Sequence, residues 1–465
     1  MQGHGWIRST SLTGRLGTAR ATPSAMRTHR APIRDFSRRW AFTVAAAASL
    51  LLGGHLSRAE PAGAYAHWHE ATQILVHRPG EEVFPGLLHP AAALFADTFS
   101  LEGAAREHQQ FVATLETQGV DEVIHVVDVL LAGTEDPDGE ARRALANLAK
   151  RMTTLDVSSL GPADREAQRA YFEETVAKMA PGTLVRMVLE RPTVGLGYGQ
   201  CGATEPRTCI VAEYRQNPLM NLYFARDQMV TTARGVVLGR MANPQRAAER
   251  EVMKFVLAKM GIEPIYEISP DARMEGGDFF PAGERAFIGQ GLRTNAAAIR
   301  EMLDHDVFGA PEVIVVKDAW QDPREMHLDT YFNLLDADLA LLVADRDVPD
   351  CDVHQHVKCL KADVWTRNAQ GTYDLARENA DFVRFLGEKG FRVIPVSVAD
   401  QEAYGVNVLT IGPRRIVGAD GVSEAYKRAL AASSVQATWV SFDNLKRGYG
   451  SADCISQVLR RRPPK

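Results

Sequence analysis

Four short stretches carry side chains that could do chemistry together: Phe224-Ala225-Arg226-Asp227, Glu275-Gly276-Gly277-Asp278, His327-Leu328-Asp329 and Gly448-Tyr449-Gly450-Ser451-Ala452-Asp453-Cys454. Taken singly, each has a plain explanation. Arg226-Asp227 reads as a solvated surface pair, Glu275 to Asp278 as a turn, His327 as a helix cap and Cys454 as a small buried hydrophobe. Taken together, the carboxylates, the imidazole and the thiol suit a reaction on a planar cation. A guanidinium offers N–H donors in a fixed fork that carboxylates match in pairs. Its central carbon is a weak electrophile, so attack calls for a thiolate. An imidazole can protonate departing ammonia and then deprotonate the incoming water.

Those residues must be held by a sizeable fold. The chain has 465 residues, of which 45% are apolar and 24% charged, ordinary for a globular protein with a large core. Lys plus Arg number 53 against 58 Asp plus Glu, a formal net charge of −5, which argues against a dedicated nucleic-acid binder. No apolar run reaches the roughly 18 residues of a membrane span. Alternation over Thr72 to Pro79 predicts a strand, as do Glu122–Leu131, Val236–Gly239, Ala286–Gln290, Val313–Val316, Leu339–Val343, Arg392–Val398 and Val408–Val417. Ser100 is the expected N-cap of a helix with Ala104, Phe111 and Leu115 on one face. Further helices are expected at Gly139–Met152, Ala163–Ala180, Pro244–Met260, Asp374–Lys389 and Ser423–Ala432. No strand signal occurs from about 132 to 182, so a helical module is expected inside an α/β chain.

The order NLYFARD (Asn221–Asp227), MEGGD (Met274–Asp278), MHLDT (Met326–Thr330), NVLTI (Asn407–Ile411) and RGYGSADCIS (Arg447–Ser456) resembles the arginine deiminases of the guanidino-group-modifying superfamily. ILVHRPGEE (Ile74–Glu82) and LFADTFSLEGAAREHQQF (Leu94–Phe111) look like that family's first strand and the entry to its helical insertion. The resemblance implies a pentein fold, an α/β-propeller of five ββαβ units with an inserted α-helical bundle. The expected division is a leader over 1–66, a catalytic domain over 67–98 and 183–465, and a helical insertion over 99–182. The resemblance also implies hydrolysis of L-arginine by water to L-citrulline and ammonia, with no metal and no organic cofactor. By motif position, Asp227 and Asp329 would hold the guanidinium with help from Glu275, and Cys454 would attack it to give a thiouronium. His327 would be the acid and then the base, while Asn221, Arg246, Arg293 and Asp278 would bind the rest of the substrate. Tyr449 and Asp453 depart from the family pattern, and Asp453 would raise the thiol pKa unless it points away. The same centre could serve an amidinotransferase passing the group to an amine, or a non-catalytic arginine-binding protein. NLYFARD and EGGD favour the deiminase.

Five cysteines leave an odd one. Cys201 and Cys209 are eight apart, as are Cys351 and Cys359, so two local disulfides would leave Cys454 free. The competing reading of Cys351, His354, His356 and Cys359 is a zinc site. Gly195, Gly197 and Gly199 lie in an expected loop. Six arginines and no acid precede Asp35, and Arg38-Arg39 leads into the uncharged stretch Ala41 to Leu52. That reads as an export signal, with a cytoplasmic protein as the alternative. A homo-oligomer is a further expectation.

Overall fold

The structure, a computed structural model, describes residues 62–202, 207–356 and 358–463. The leader expected over 1–66 lies outside these apart from its last five residues, which belong to the fold. The Gly63 N–H donates to Leu459 O and the Ala64 N–H to Thr232 O, at 3.0 and 2.9 Å. The folded part therefore begins ahead of the expected 66/67 boundary.

One motif recurs five times: an inner strand antiparallel to a middle strand, which is parallel to an outer strand reached through a helix. In chain order the second unit is Met229–Thr232, Gly235–Leu238, helix Glu249–Lys259 and Tyr266–Glu267. The third is Phe279–Ala282, Arg285–Gln290, helix Ala296–Asp304 and Glu312–Asp318. The fourth is Phe332–Asp336, Leu339–Val343, helix Phe382–Glu388 and Arg392–Val396. The fifth is Leu409–Gly412, Arg415–Ala419, helix Glu424–Ala432 and Gln436–Val440. The first unit is split. Its middle strand Glu70–Val76, helix Leu101–Thr117 and outer strand Glu122–His125 come first, and its inner strand Ser456–Arg462 is the last of the chain. Inner strands of successive units touch: Ser456–Arg462 lies on Met229–Thr232, that on Phe279–Ala282, that on Phe332–Asp336 and that on Leu409–Gly412, which touches the first unit through its middle strand Glu70–Val76.

Local chemistry explains these elements. Ser100 Oγ accepts from the Gly103 N–H at 3.0 Å, and the helix it caps buries Ala104, Phe111 and Leu115 as its spacing predicts. The helix Glu249–Lys259 buries Val252, Met253, Val256 and Leu257. It is preceded by the short 3-10 turn Pro244–Arg246, so the expected Pro244–Met260 helix is broken near its start.

Three expectations are corrected. The strand expected over Glu122–Leu131 ends at His125 and continues as the helix Val126–Leu131. The segment Asp374–Lys389 is helical only from Phe382; Tyr373–Asp381 is a strand on Leu360–Arg367, extending the third unit's sheet. Its Leu, Ala, Arg and Glu favour a helix, but an available sheet edge outweighs propensity. The helical insertion is not 99–182. Residues 101–125 complete the first unit, and the inserted helices Val126–Leu131, Glu140–Met152, Pro162–Lys178 and Pro181–Glu190 are accompanied by the sheet Thr154–Asp156, Pro192–Cys201 and Arg207–Gln216. The glycines at 195, 197 and 199 lie in the middle strand of that sheet, not in a loop.

Candidate active site

The expected site residues stand at the entrances of the five inner strands. Asp227 precedes Met229–Thr232, Glu275 precedes Phe279–Ala282, and His327 and Asp329 precede Phe332–Asp336. Asn407 precedes Leu409–Gly412, and Cys454 precedes Ser456–Arg462. Such entrances can approach one another only over small side chains. A Cβ on Gly276 would lie 2.0 Å from Arg226 O, and one on Gly277 2.6 Å from His327 Nδ1. Glu275-Gly-Gly-Asp278 is thus a turn, as its residues suggest, and also part of the site.

The distances confirm the convergence. His327 Nε2 is 2.9 Å from Glu275 Oε2, and Nδ1 is 3.8 Å from Asp227 Oδ1. Cys454 Sγ lies 3.6 Å from Asp329 Oδ2 and accepts from Asn407 Nδ2 at 3.1 Å. All of these groups are buried. Burial would strip the proton from His327, but Asp227 and the bond to Glu275 override it and raise its pKa to about 9. Burial pushes Glu275 up, yet the His327 bond and Arg293 bring it down to about 2. Burial raises Asp329 to about 8. Burial, then Asp329, Asp227 and Asp453, holds the Cys454 thiol well above its ordinary value, opposed by the Asn407 bond.

Arg226 and Asp227 are both buried, which corrects the surface-pair reading. Arg226 bridges Asp329, at 3.4 Å, and Asp453, at 3.2 Å. Asp453 therefore points at a guanidinium, and its push on the thiol is only partly relieved. Asp278 is buried with one carboxylate oxygen engaged by the backbone. Its Oδ1 accepts from the Leu328 N–H at 2.9 Å and so positions the loop of His327 and Asp329.

Arg246 and Arg293 reach the site with their charges already engaged. Arg246 Nη1 donates to Asp227 Oδ2 at 2.7 Å, its Nη2 to Glu249 Oε2 at 2.8 Å and to Asn221 O at 3.2 Å. Arg293 Nη1 is 3.3 Å from Glu275 Oε2. Asn221 Nδ2 donates to Ala93 O at 2.9 Å. The cavity among these groups, lined also by Leu94, Phe224 and Tyr449, measures about 20 Å³. That is room for about one water, so a larger ligand enters only if the walls move. Tyr449, on left-handed backbone at φ 69°, lines both this cavity and a neighbouring one of about 240 Å³.

Sequence reasoning left Arg226 and Asn407 without roles. Asn407 was visible only as the first residue of the NVLTI stretch, and its three contacts to the Cys454 loop come from the fold. Its Oδ1 accepts from the Ser451 N–H at 2.9 Å and the Cys454 N–H at 3.4 Å, while Nδ2 serves Sγ. Asp227, Glu275 and His327 present ligand atoms within 4.8 Å of one another, a set that could also take a metal ion. The proton on His327 would have to leave first. The zinc reading at 351–359 is corrected: Cys351 and Cys359 are joined in a disulfide, as are Cys201 and Cys209, and Cys454 is free.

A buried thiol, a His–Glu pair and carboxylates at the strand entrances of this mixed α/β fold fit a hydrolase acting on amidine C–N bonds, and the family match makes it one. Residues 92–461 match the family described as arginine deiminase. The chain belongs to the arginine deiminase family. It is 27% identical to an arginine deiminase of Halobacterium salinarum, over 86% of this chain and 96% of that one. It is 26% identical to an arginine deiminase of Streptococcus pyogenes, over 86% and 98%. Among solved structures, the substrate-bound N-terminal domain of ArgZ, a cyanobacterial arginine dihydrolase, aligns with TM-score 0.50 at 15% identity, over 84% of this chain and 98% of that domain. Unliganded AgrE aligns with TM-score 0.50 at 14% identity, and the match spans only 40% of AgrE. These likenesses place the fold among the pentein enzymes.

Proposed function

We propose that the protein hydrolyses free L-arginine to L-citrulline and ammonia through a covalent intermediate on Cys454, within a propeller of five ββαβ units. The observation that carries the reading is the pairing of His327 with Glu275 beside a thiol lying 3.6 Å from Asp329. The succession of touching inner strands, closed through the first unit's middle strand, supports the propeller.

The chemistry follows from the charges. The substrate guanidinium settles between Asp227 and Asp329, displacing Arg246 from Asp227. Its positive charge beside Sγ lowers the thiol pKa, the thiol gives its proton to water, and the thiolate attacks the guanidino carbon. The C–N bond breaks as His327 gives its proton to the leaving nitrogen, which departs as ammonia. The now neutral His327 takes a proton from water, whose oxygen adds to the thiouronium carbon. The hydroxyl proton of the adduct then passes to sulfur as the C–S bond breaks, releasing citrulline and the Cys454 thiol. Arg246 and Arg293, with Asn221, are the groups available to the α-carboxylate. Export of the protein is supported by its two disulfides, which persist in oxidising compartments.

Incubation of the full chain with arginine as sole substrate tests this. Citrulline and ammonia are expected in equal amounts, and none from Cys454→Ser with its fold intact. Turnover that begins only on adding an amine would instead make the protein an amidinotransferase, and arginine binding without citrulline at any pH a non-catalytic binder.

A further inference from the structure

The insertion's sheet ends in an unguarded edge. Thr154–Asp156, Pro192–Cys201 and Arg207–Gln216 lie side by side in that order, so among the described residues Arg207–Gln216 is paired on one side only. Its ladder to Pro192–Cys201 runs through ten pairs without a register shift. From Ile210 to Gln216 every residue is exposed. Every second residue of such a strand turns its N–H and C=O away from its neighbour, ready to pair with another strand. The long edge Tyr373–Asp381 is built differently. Two register shifts break its ladder, and Asp374, Arg377 and Glu378 stand along it, the usual defences against edge-to-edge pairing.

The exposed strand also carries an apolar row. Side-chain alternation and the register put Val194, Leu196, Tyr198, Ile210, Ala212 and Tyr214 on one face of the sheet. At one end of that face the Tyr198 hydroxyl accepts from the Gly161 N–H at 2.9 Å and donates to Asp164, so the start of the helix Pro162–Lys178 lies against it. At the other end Tyr214 is 74% exposed. Glu213 and Arg215 flank it and point to the opposite face. Both are exposed, they are opposite in sign, and neither forms an ion pair among the described residues.

We propose that this edge docks a second copy of the chain: Arg207–Gln216 pairs antiparallel with the same strand of its partner, about a two-fold axis at Tyr214. That register sets Glu213 opposite the partner's Arg215 and Arg215 opposite the partner's Glu213, with the two Tyr214 side chains facing each other across the axis. A two-fold axis at Glu213 or at Arg215 would set like charges opposite each other. An axis at Ala212 leaves Glu213 opposite the partner's Val211 and Arg215 opposite the partner's Cys209. Of these four registers, charge selects the one at Tyr214. A strand that carries its own complement on either side of one residue fits itself better than it fits an unrelated edge. The two three-stranded sheets become one continuous sheet, and each edge covers the other. The surface lies on the insertion, and its pairing stands whether or not arginine is the substrate.

Sedimentation of the full chain across a dilution series tests it. The expected species is a dimer that dissociates on dilution. Glu213→Arg should give a monomer, because the new side chain faces the partner's Arg215 in both halves of the interface. Glu213→Arg combined with Arg215→Glu should restore the dimer, because the exchanged charges are complementary again. All of these positions are exposed, so the fold tolerates the changes. The register has its own reading: Tyr214→Cys should crosslink the two copies on mild oxidation, and Val211→Cys should not. Hydrogen exchange of the unmodified protein should show the amides of 212–216 protected at high concentration and released on dilution. A monomer at every concentration, a dimer that Glu213→Arg leaves intact, or a charge exchange that fails to restore it overturns the proposal.

Discussion

Asn407 offers the sharpest test of how the nucleophile is prepared. Its amide donates to Cys454 Sγ at 3.1 Å, and its carbonyl accepts from the Ser451 N–H at 2.9 Å. The first contact favours the thiolate; the second holds the loop. A hydrogen bond to a charged group is worth about 1.5–3 kcal/mol, which equals a rise of about 1–2 pKa units when it is lost. Asn407→Ala should therefore raise the pH midpoint for alkylation of Cys454 by about that much. At fixed pH the thiolate fraction falls about 10- to 100-fold, but a more basic thiolate is more nucleophilic and recovers nearly half of that on a logarithmic scale. The net loss in kcat/KM from ionisation is then about 3- to 10-fold. Asn407→Asp separates the two roles, because it keeps the acceptor for the loop and puts a carboxylate beside Sγ. If the thiolate effect governs, Asp falls below Ala in rate and its alkylation midpoint lies higher. Iodoacetamide labelling is single-site, since Cys454 is the one free cysteine. An Asp variant faster than the Ala variant, with an unmoved midpoint, would refute this account and leave Asn407 as a loop anchor.

Two further predictions concern charge and redox state. His327 is raised from 6.5 to about 9, so its contribution to stability is complete below pH 6.5 and is lost as the pH rises through about 9. Denaturant midpoints should fall across that window, and His327→Asn should flatten the fall by at most about 3 kcal/mol. An equal fall in the variant would show that the proton is not held there. Thiol titration of the unfolded, unreduced protein should find one thiol, and none in Cys454→Ser; three or more would dismiss the disulfides.

What was legible in the sequence was what repeats or what has a local cause. The periodicity around Phe111 and Leu115 and the cap at Ser100 give the helix Leu101–Thr117 directly. The motif set placed Asp227, Glu275, His327, Asp329 and Cys454 in one site, and the structure brings them together. Tertiary partners decided the rest. Tyr373–Asp381 is a strand only because Leu360–Arg367 offers it an edge. Glu122–His125 belongs to the first unit only because Glu70–Val76 lies beside it. Arg226 read as a surface charge because nothing nearby in sequence shows that Asp329 and Asp453 will close over it. That Asp278 Oδ1 holds the Leu328 N–H of the next unit's loop has no local signal either.

The pattern of partners also says why the site waits for its substrate. Asp227 is paired with Arg246, Glu275 with His327 and Arg293, and Asp453 with Arg226, so the ligand-free site neutralises itself. Asp329, raised to about 8, keeps its proton at neutral pH, and so does the thiol beside it. A thiolate formed in that state would be buried beside Asp329, Asp227 and Asp453, which is why burial and the acids hold its pKa up. In the proposed reaction a guanidinium enters between Asp227 and Asp329, adds a cation beside Asp329 and Cys454 that favours ionisation of both, and takes the place of Arg246 at Asp227. A neutral isostere such as citrulline brings the shape without the charge. It would therefore not complete the switch, and the proposed reaction would tell substrate from product through the same charge that favours the Cys454 thiolate.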